Sequence, residues 1–276
     1  MLTIRRGKPE DSDQVQELLT KVWEDDYVPH MWLDWVKNLD KGIVLVALDQ
    51  GAIIGTTYIA FCPGNACWFQ ALRVHPHYRR RGVGSRLTKV SIAESKKAGR
   101  EVIYLGIDED NIPSLKMTEI LGFKRTSQFN RFAKKLAHKS SDQPTRWRPA
   151  TGDDLETIFQ DGKARDVGEL LLCWQWQPFS KEALQDNIRD GHLSVWGAEQ
   201  IQVWGGLEIY EELQIFVPIG AQEDVQQAIN DAEAYVANKA ETWVEIWLPH
   251  LSPLAEYLLV QGYTPDDGYV IWTYHL

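Results

Sequence analysis

The chain repeats itself once, at an interval that only a second domain can explain. The segment Glu101-Val-Ile-Tyr-Leu-Gly-Ile-Asp108 leads to Pro113, a short helical pattern and Leu121-Gly122-Phe123. Displaced by 140 positions, Glu241-Thr-Trp-Val-Glu-Ile-Trp-Leu248 leads to Pro253, a second short helical pattern and Gln261-Gly262-Tyr263. The openings match as well: Thr3-Ile4-Arg5-Arg6 with Asp11 is echoed by Thr145-Arg146-Trp147-Arg148 with Asp153. Solenoid repeats are about 20–50 residues long, so this period marks tandem domains. With 276 residues, 44% of them hydrophobic, there is material for two cores. The expected division is 1–138 and 145–276, joined by the linker-like Ala137-His-Lys-Ser-Ser-Asp-Gln-Pro144.

Periodicity predicts an α/β class with mixed sheets in both copies. In the first, strands are expected at 2–6, 43–48, 52–61, 66–74, 101–107 and 123–135, with Cys62-Pro63-Gly64-Asn65 as a hairpin turn. Helices are expected at 11–23, at 84–98 with a stop at Gly99, and at 113–121. The stretch from Trp23 to Asp40 is acidic, aromatic and irregular, and part of it (31–39) has the pattern of an amphipathic helix with Trp32, Leu33 and Val36 inward. The second copy gives strands near 145–149, 192–197, 200–209, 212–217, 242–248 and 263–275, and a main helix at 223–238.

Charge divides the halves. Residues 1–140 hold 22 Lys/Arg against 16 Asp/Glu, and the remainder holds 7 against 23, which together give the net −10. An acidic chain without a second basic stripe is not expected to bind nucleic acid. No apolar run approaches the ~20 residues of a membrane helix, and the N-terminus lacks the apolar core of a signal peptide. Cys62, Cys67 and Cys173 form neither a disulfide framework nor a metal-ligand spacing. The expectation is a cytoplasmic protein with no metal and no membrane partner; a homodimer stays open.

Chemistry concentrates in Leu72-Arg-Val-His-Pro-His-Tyr-Arg-Arg-Arg-Gly-Val-Gly84. A strand ends, a basic loop comes next, and two glycines open a helix. Glycine admits close backbone approach, and the free N–H groups and dipole of a helix N-terminus attract phosphate. From Arg73 to Arg100 there are nine Lys/Arg and one acid, Glu94. In the second copy the same place reads Val217-Pro-Ile-Gly-Ala-Gln-Glu-Asp-Val-Gln, where Glu223 and Asp224 take the helix N-terminus themselves.

Arg79-x-x-Gly82-x-Gly84 after a strand, with Asn111 and Leu121-Gly122-Phe123 downstream, resembles the acetyl-CoA site of the GNAT (GCN5-related) N-acetyltransferase superfamily. The resemblance covers residues 1–135 and, more faintly, 145–276, and implies two tandem acyl-CoA N-acyltransferase folds. It implies that main-chain amides from Arg79 to Gly84, Val83 included, hold the pyrophosphate, with Arg79, Arg80 or Arg81 on phosphate oxygens. Leu72, Arg73 and Val74 would bond the pantetheine arm, the amide of Leu72 or Arg73 would polarise the thioester, and Asn111 would contact the cofactor. Where many members carry a Tyr that protonates the leaving thiolate, this chain has Thr118. The second copy has Leu251 at the Asn111 position and Leu258 at the Thr118 position, so it is expected to have kept the fold and lost the cofactor.

For the acceptor, Asp26-Tyr27-x-Pro29 with Trp35 resembles a narrower group, the histidine Nα-acetyltransferase-like proteins. That likeness implies a small amine, a free amino acid among the options. Asp26 would engage the ammonium, Tyr27 and Trp35 would line the pocket, and His30 would act as base. A non-catalytic acyl-CoA-binding protein and a peptide or protein N-acetyltransferase are the alternatives.

Overall fold

The computed structural model describes residues 2–23, 26–138, 144–163, 169–172, 175–209, 212–238 and 242–276. Most of the expected linker, and Cys173, lie outside them. The chain divides into two compact units, one of residues 1–106, 112–125 and 272–276, the other of residues 107–111 and 126–271. These are not the sequence repeats cut at the linker. Most of the strand expected to close the first copy belongs to the second unit, and the last five residues of the chain belong to the first.

In the first unit, β1 (Thr3–Arg6), β2 (Gly42–Asp49), β3 (Ala52–Cys62) and β4 (Ala66–Val74) form an antiparallel meander. β5 (Val102–Asp108) then joins β4 in parallel. Ile43 to Ala47 and Ile53 to Ala60 are apolar without a break except for Gly55, Thr56 and Thr57, the signature of strands covered on both faces. Helix α1 (Ser12–Thr20) buries Val15, Leu18 and Leu19, one stripe at helical spacing. Helix α2 (Val28–Lys37) turns much of the expected irregular stretch into regular structure. It buries Val28, Trp32, Trp35 and Val36, while Leu33 is 46% exposed, because a helix begun at Val28 puts 28, 32, 35 and 36 on one side. Helix α3 (Val83–Lys97) comes after β4 and ends before Gly99, whose φ of +72° suits the reversal. Helix α4 (Ile112–Ile120) stops at Gly122, φ +93°. Phe123 then turns inward, 2% exposed, against Phe69 and Tyr274.

The second unit carries β6 (Lys124–Leu136, from Thr126 onward), β13 (Thr242–Pro249), β12 (Leu213–Gly220), β11 (Val203–Ile209), β10 (Ser194–Trp196) and β7 (Trp147–Pro149), in that spatial order. β6 pairs antiparallel with β13 from Phe129↔Pro249 to Leu136↔Thr242. The helix Gln222–Ala237 packs Val225, Ala228, Ile229, Ala232 and Val236 into a core with Ile215, Val244 and Ile246. A hairpin of β8 (Glu169–Leu172) with β9 (Gln175–Pro178) and a helix Lys181–Asp190 were not expected. The helix is nevertheless written in the chain: the Ser180 hydroxyl caps it by accepting from the Ala183 amide at 3.0 Å, and Gly191 ends it at φ +79°.

The repeat reaches atomic detail. Arg5 donates two bonds of 2.7 Å to Asp11, which also accepts from the Lys8 amide at 2.8 Å. Arg148 donates two bonds of 2.7 Å to Asp154, which accepts from the Thr151 amide at 2.8 Å. The carboxylate matching Asp11 is therefore Asp154, not Asp153. In both copies it is the third residue of a 3-10 turn, the one that folds back on the turn's start.

Candidate active site

β4 is bulged. The pairs Thr56↔Arg73 and Tyr58↔Gln70 leave Thr57 opposite both Ala71 and Leu72, and Ala71 sits at φ +56°. The Thr57 hydroxyl donates to the Gln70 carbonyl at 3.2 Å. The parallel ladder with β5 runs only from Ala66↔Val102 to Phe69↔Leu105, whereas β4 continues to Val74. Beyond the bulge the two strands part, and half-buried Leu72, Arg73 and Val74 form an edge on which an extended ligand can lie.

The loop His75–Gly82 leads from that edge into α3. Pro76–Tyr78 makes one 3-10 turn, with the His75 ring nitrogen accepting from the His77 amide at 3.2 Å. Arg80 and Gly82 take positive φ of +62° and +78°. A side chain at Gly82 would meet no atom within 4 Å, so its glycine answers to backbone conformation and open space. Gly84 answers to packing: a Cβ there would lie 3.4 Å from the Met117 sulfur and 3.8 Å from Leu72 and Val74, which seats the helix start on β4. No side chain caps α3, and its first turn holds no acid. Arg79, Arg80, Arg81 and Arg86 are exposed and make no ion pair among the described residues. Free amides under unneutralised guanidinium groups make an anion cradle.

On the other face of β4 lies a polar cluster. The bulge puts Gln70 and Arg73, three apart, on the same side as Tyr58. Arg73 Nε donates to Asp26 Oδ2 at 2.6 Å and Nη2 to Oδ1 at 3.4 Å. The Asp26 side chain is 1% exposed and Oδ1 also accepts from the Val28 amide at 3.1 Å, fixing the entry to α2. The guanidinium lies 5.5 Å from the Trp23 ring and 5.9 Å from the Tyr27 ring. The Tyr27 hydroxyl donates to Gln70 Oε1 at 3.4 Å, and burial pushes its phenol above the ordinary range. Trp35 stacks on Tyr58 at 4.2 Å and meets Tyr27 edge-on at 6.1 Å.

The profile of the acetyltransferase (GNAT) family matches residues 12–123. The chain is 31% identical over 122 residues to the L-amino acid N-acyltransferase MnaT of Escherichia coli, across 37% of this chain and 69% of that protein. It is 31% identical over 93 residues to an L-methionine sulfoximine/L-methionine sulfone acetyltransferase of Salmonella typhimurium, across 31% of this chain and 52% of that protein. The chain thus spans about half the length of the one relative and two thirds of the other. It belongs to the GNAT acetyltransferase family. Two solved structures share its fold over nearly the whole chain. They are a GCN5-related N-acetyltransferase from Sphaerobacter thermophilus (TM-score 0.66, 16% identity, 99% of this chain and 95% of that one) and a tandem GNAT protein from the clavulanic acid biosynthesis pathway (0.63, 14%, 100% and 98%). The architecture is two GNAT folds in tandem.

Within this GNAT frame the expected residues separate. Leu72, Arg73, Val74 and the 79–84 loop come together in the first unit, whereas Asn111 falls in the second, in the turn after β5. Thr118 is the buried residue of α4, 2% exposed, and its counterpart Leu258 is likewise buried in the helix Leu254–Val260. Asp26 does not face a pocket as a bare carboxylate, because Arg73 already neutralises it. Trp35 is 6% exposed and backs the cluster through Tyr58. His30 is exposed on α2 and makes no side-chain hydrogen bond or ion pair among the described residues. Reading the sequence for backbone roles missed the Arg73 side chain, Gln70 and Trp23. A signal existed, since Gln70 and Arg73 are the polar residues in an otherwise apolar strand.

Proposed function

We propose that this chain transfers an acetyl group from acetyl-CoA to a small primary amine, a free amino acid among the candidates, by direct attack in a ternary complex. The observation that carries the reading is the cradle: an uncapped helix start beneath four arginines that lack an acidic partner among the described residues, continuous with the strand edge Leu72–Val74. Its residues fit a pyrophosphate joined to an extended arm, with the amides of 79–84 and Arg79, Arg80 or Arg81 on the phosphates. The thioester supplies the activated acyl carbon. The amide of Leu72 or Arg73 stabilises the oxyanion as the C–N bond forms, and the C–S bond then breaks, its electron pair leaving on the thiolate, while the amine nitrogen gives up its proton to solvent water. Thr118 has no part in this scheme. A thiol pKa of about 8–9 lets the thiolate leave without a side-chain acid. His30, Asp26 and Asn111 also carry no catalytic step here.

The two curated relatives acylate amino acids or close analogues by name, which supports the acceptor class. The second unit is proposed to support the first without binding cofactor. The test joins calorimetry with coenzyme A to a thiol-release assay over amino acids, polyamines and peptides. One binding event per chain with release dependent on a small amine is expected. Binding without release selects the non-catalytic acyl-CoA-binding reading, release with peptides alone selects the peptide N-acetyltransferase, and absence of heat overturns all three.

A further inference from the structure

We infer that the Arg73 side chain selects the acceptor, by pairing with a carboxylate that the amine substrate carries. The inference rests on the acetyl-transfer reading but draws on different atoms. Arg73 stands on the edge proposed to hold the reactive end of the cofactor, while its side chain leaves on the face lined by Tyr27 and Gln70. Asp26 takes Nε and one Nη2 bond; among the described residues Nη1 has no partner. A guanidinium presents five donors in a fixed fork, so one edge can be clamped while the other recognises a second carboxylate. The clamp is stiff here because Asp26 is 1% exposed and tied to the Val28 amide, and because Trp23 and Tyr27 flank the guanidinium. Asp26 is a positioning residue for Arg73.

The arrangement also explains why an acid-rich stretch can serve a reaction that needs a neutral amine. A free carboxylate beside the nitrogen would stabilise the ammonium, which cannot attack; a guanidinium there favours the neutral form. Holding a carboxylate also fixes the amine on the same carbon within a bond or two of the thioester, an orientation gained before the chemical step.

The test compares each L-amino acid with its α-amide and its decarboxylated amine, in acetyl-CoA turnover and in direct calorimetric titration. The amide's amine is the less basic, so intrinsic reactivity at neutral pH favours the amide, and a preference for the carboxylate has to come from the protein. Wild type should prefer the acid at least ~10-fold in kcat/KM, the size expected of a charged hydrogen bond. Arg73→Gln alone leaves Asp26 buried without its counter-ion, so the deciding variant is Asp26→Asn/Arg73→Gln, in which the amide oxygen still accepts from Val28. In that double variant the preference should vanish, in turnover or in calorimetric binding. Equal use of acid and amide by wild type, or a preference that survives in the double variant, overturns the inference. If nothing turns over, calorimetric binding of the acid and not the amide sustains it, and binding of neither sinks it. Coenzyme A heat, measured separately, reports on the cofactor reading alone.

Discussion

The two units share a strand defect and differ in the segment that connects it to the next helix. In the first, Thr57 opposes Ala71 and Leu72; in the second, Gly205 opposes Val217 and Pro218, with Val217 at φ +42°. Both parallel ladders stop at the defect, at Phe69↔Leu105 and Phe216↔Trp247. After it, the first unit spends eight residues, His75–Gly82, before its helix, and the second spends one, Ala221. The second unit has no such loop before its helix, a difference in length that goes beyond the change of charge legible in the sequence. Pro218 has also removed an N–H from the strand edge. A bulge found in both units, with the loop and without it, belongs to the fold.

The largest way to break this comparison is to put an acid in each place. Gly82→Glu adds a negative charge over the free amides of α3 and should weaken coenzyme A binding at least ~100-fold by calorimetry. The strain at φ +78° costs about 1–2 kcal/mol, so the fold should survive. Ala221→Glu, at the start of the second unit's helix, should leave binding unchanged. Gly220 would be a poor control, since its Cβ would fall 2.6 Å from the Gln202 carbonyl oxygen. Equal loss in both variants would end the one-site description.

Next come the twin clasps. Asp11→Asn and Asp154→Asn should each cost about 1–3 kcal/mol in urea denaturation, since each removes a charged, largely buried acceptor from two guanidinium bonds and an amide. A cost at one site only would deny their equivalence. The Arg148 guanidinium holds the Asp154 carboxyl at about 2, and Arg5 lowers that of Asp11. A lowered pKa means that the folded chain binds fewer protons than the unfolded one. The contribution is therefore complete above about pH 5 and is lost as pH falls from the ordinary carboxylate range near 4 towards 2. Over that window wild type and variants should converge in stability.

The smallest effect is expected at the bulge. Ala71→Gly relieves a positive φ but loses a buried methyl and loosens the unfolded chain, so stability should move by less than ~1 kcal/mol, with acetyl transfer retained. A large loss would mean that the Ala71 side chain, and not only its backbone, shapes the site.

Much of this was readable in advance where the information is local. The Gly82-x-Gly84 loop, the helix stop at Gly99, the Leu121-Gly122-Phe123 turn and the 140-residue echo all obey short-range rules about glycine, charge and periodicity. Helix α2 was harder, because Trp32 and Trp35 fit a core stripe only once Val28 is known to start it. Asp26, an acid among aromatics, reads locally as a contact for an ammonium, and its ion-pair partner Arg73 lies 47 positions away, beyond the reach of any local pattern.

By itself, then, the sequence determined the tandem α/β plan and the family, and it spelled out the basic, glycine-flanked loop Arg79–Gly84, since each element is written in short patterns of glycine, charge and periodicity. Tertiary structure alone decided three things. It gave the end of the chain to the first compact unit and most of β6 to the second. It made Thr118 a core residue. Through a single extra residue in β4, it rotated Arg73 onto the face of Gln70 and into the grip of Asp26. Strand side chains alternate with a period of two, so one bulge reverses every assignment beyond it, and no local pattern announces where the bulge will fall.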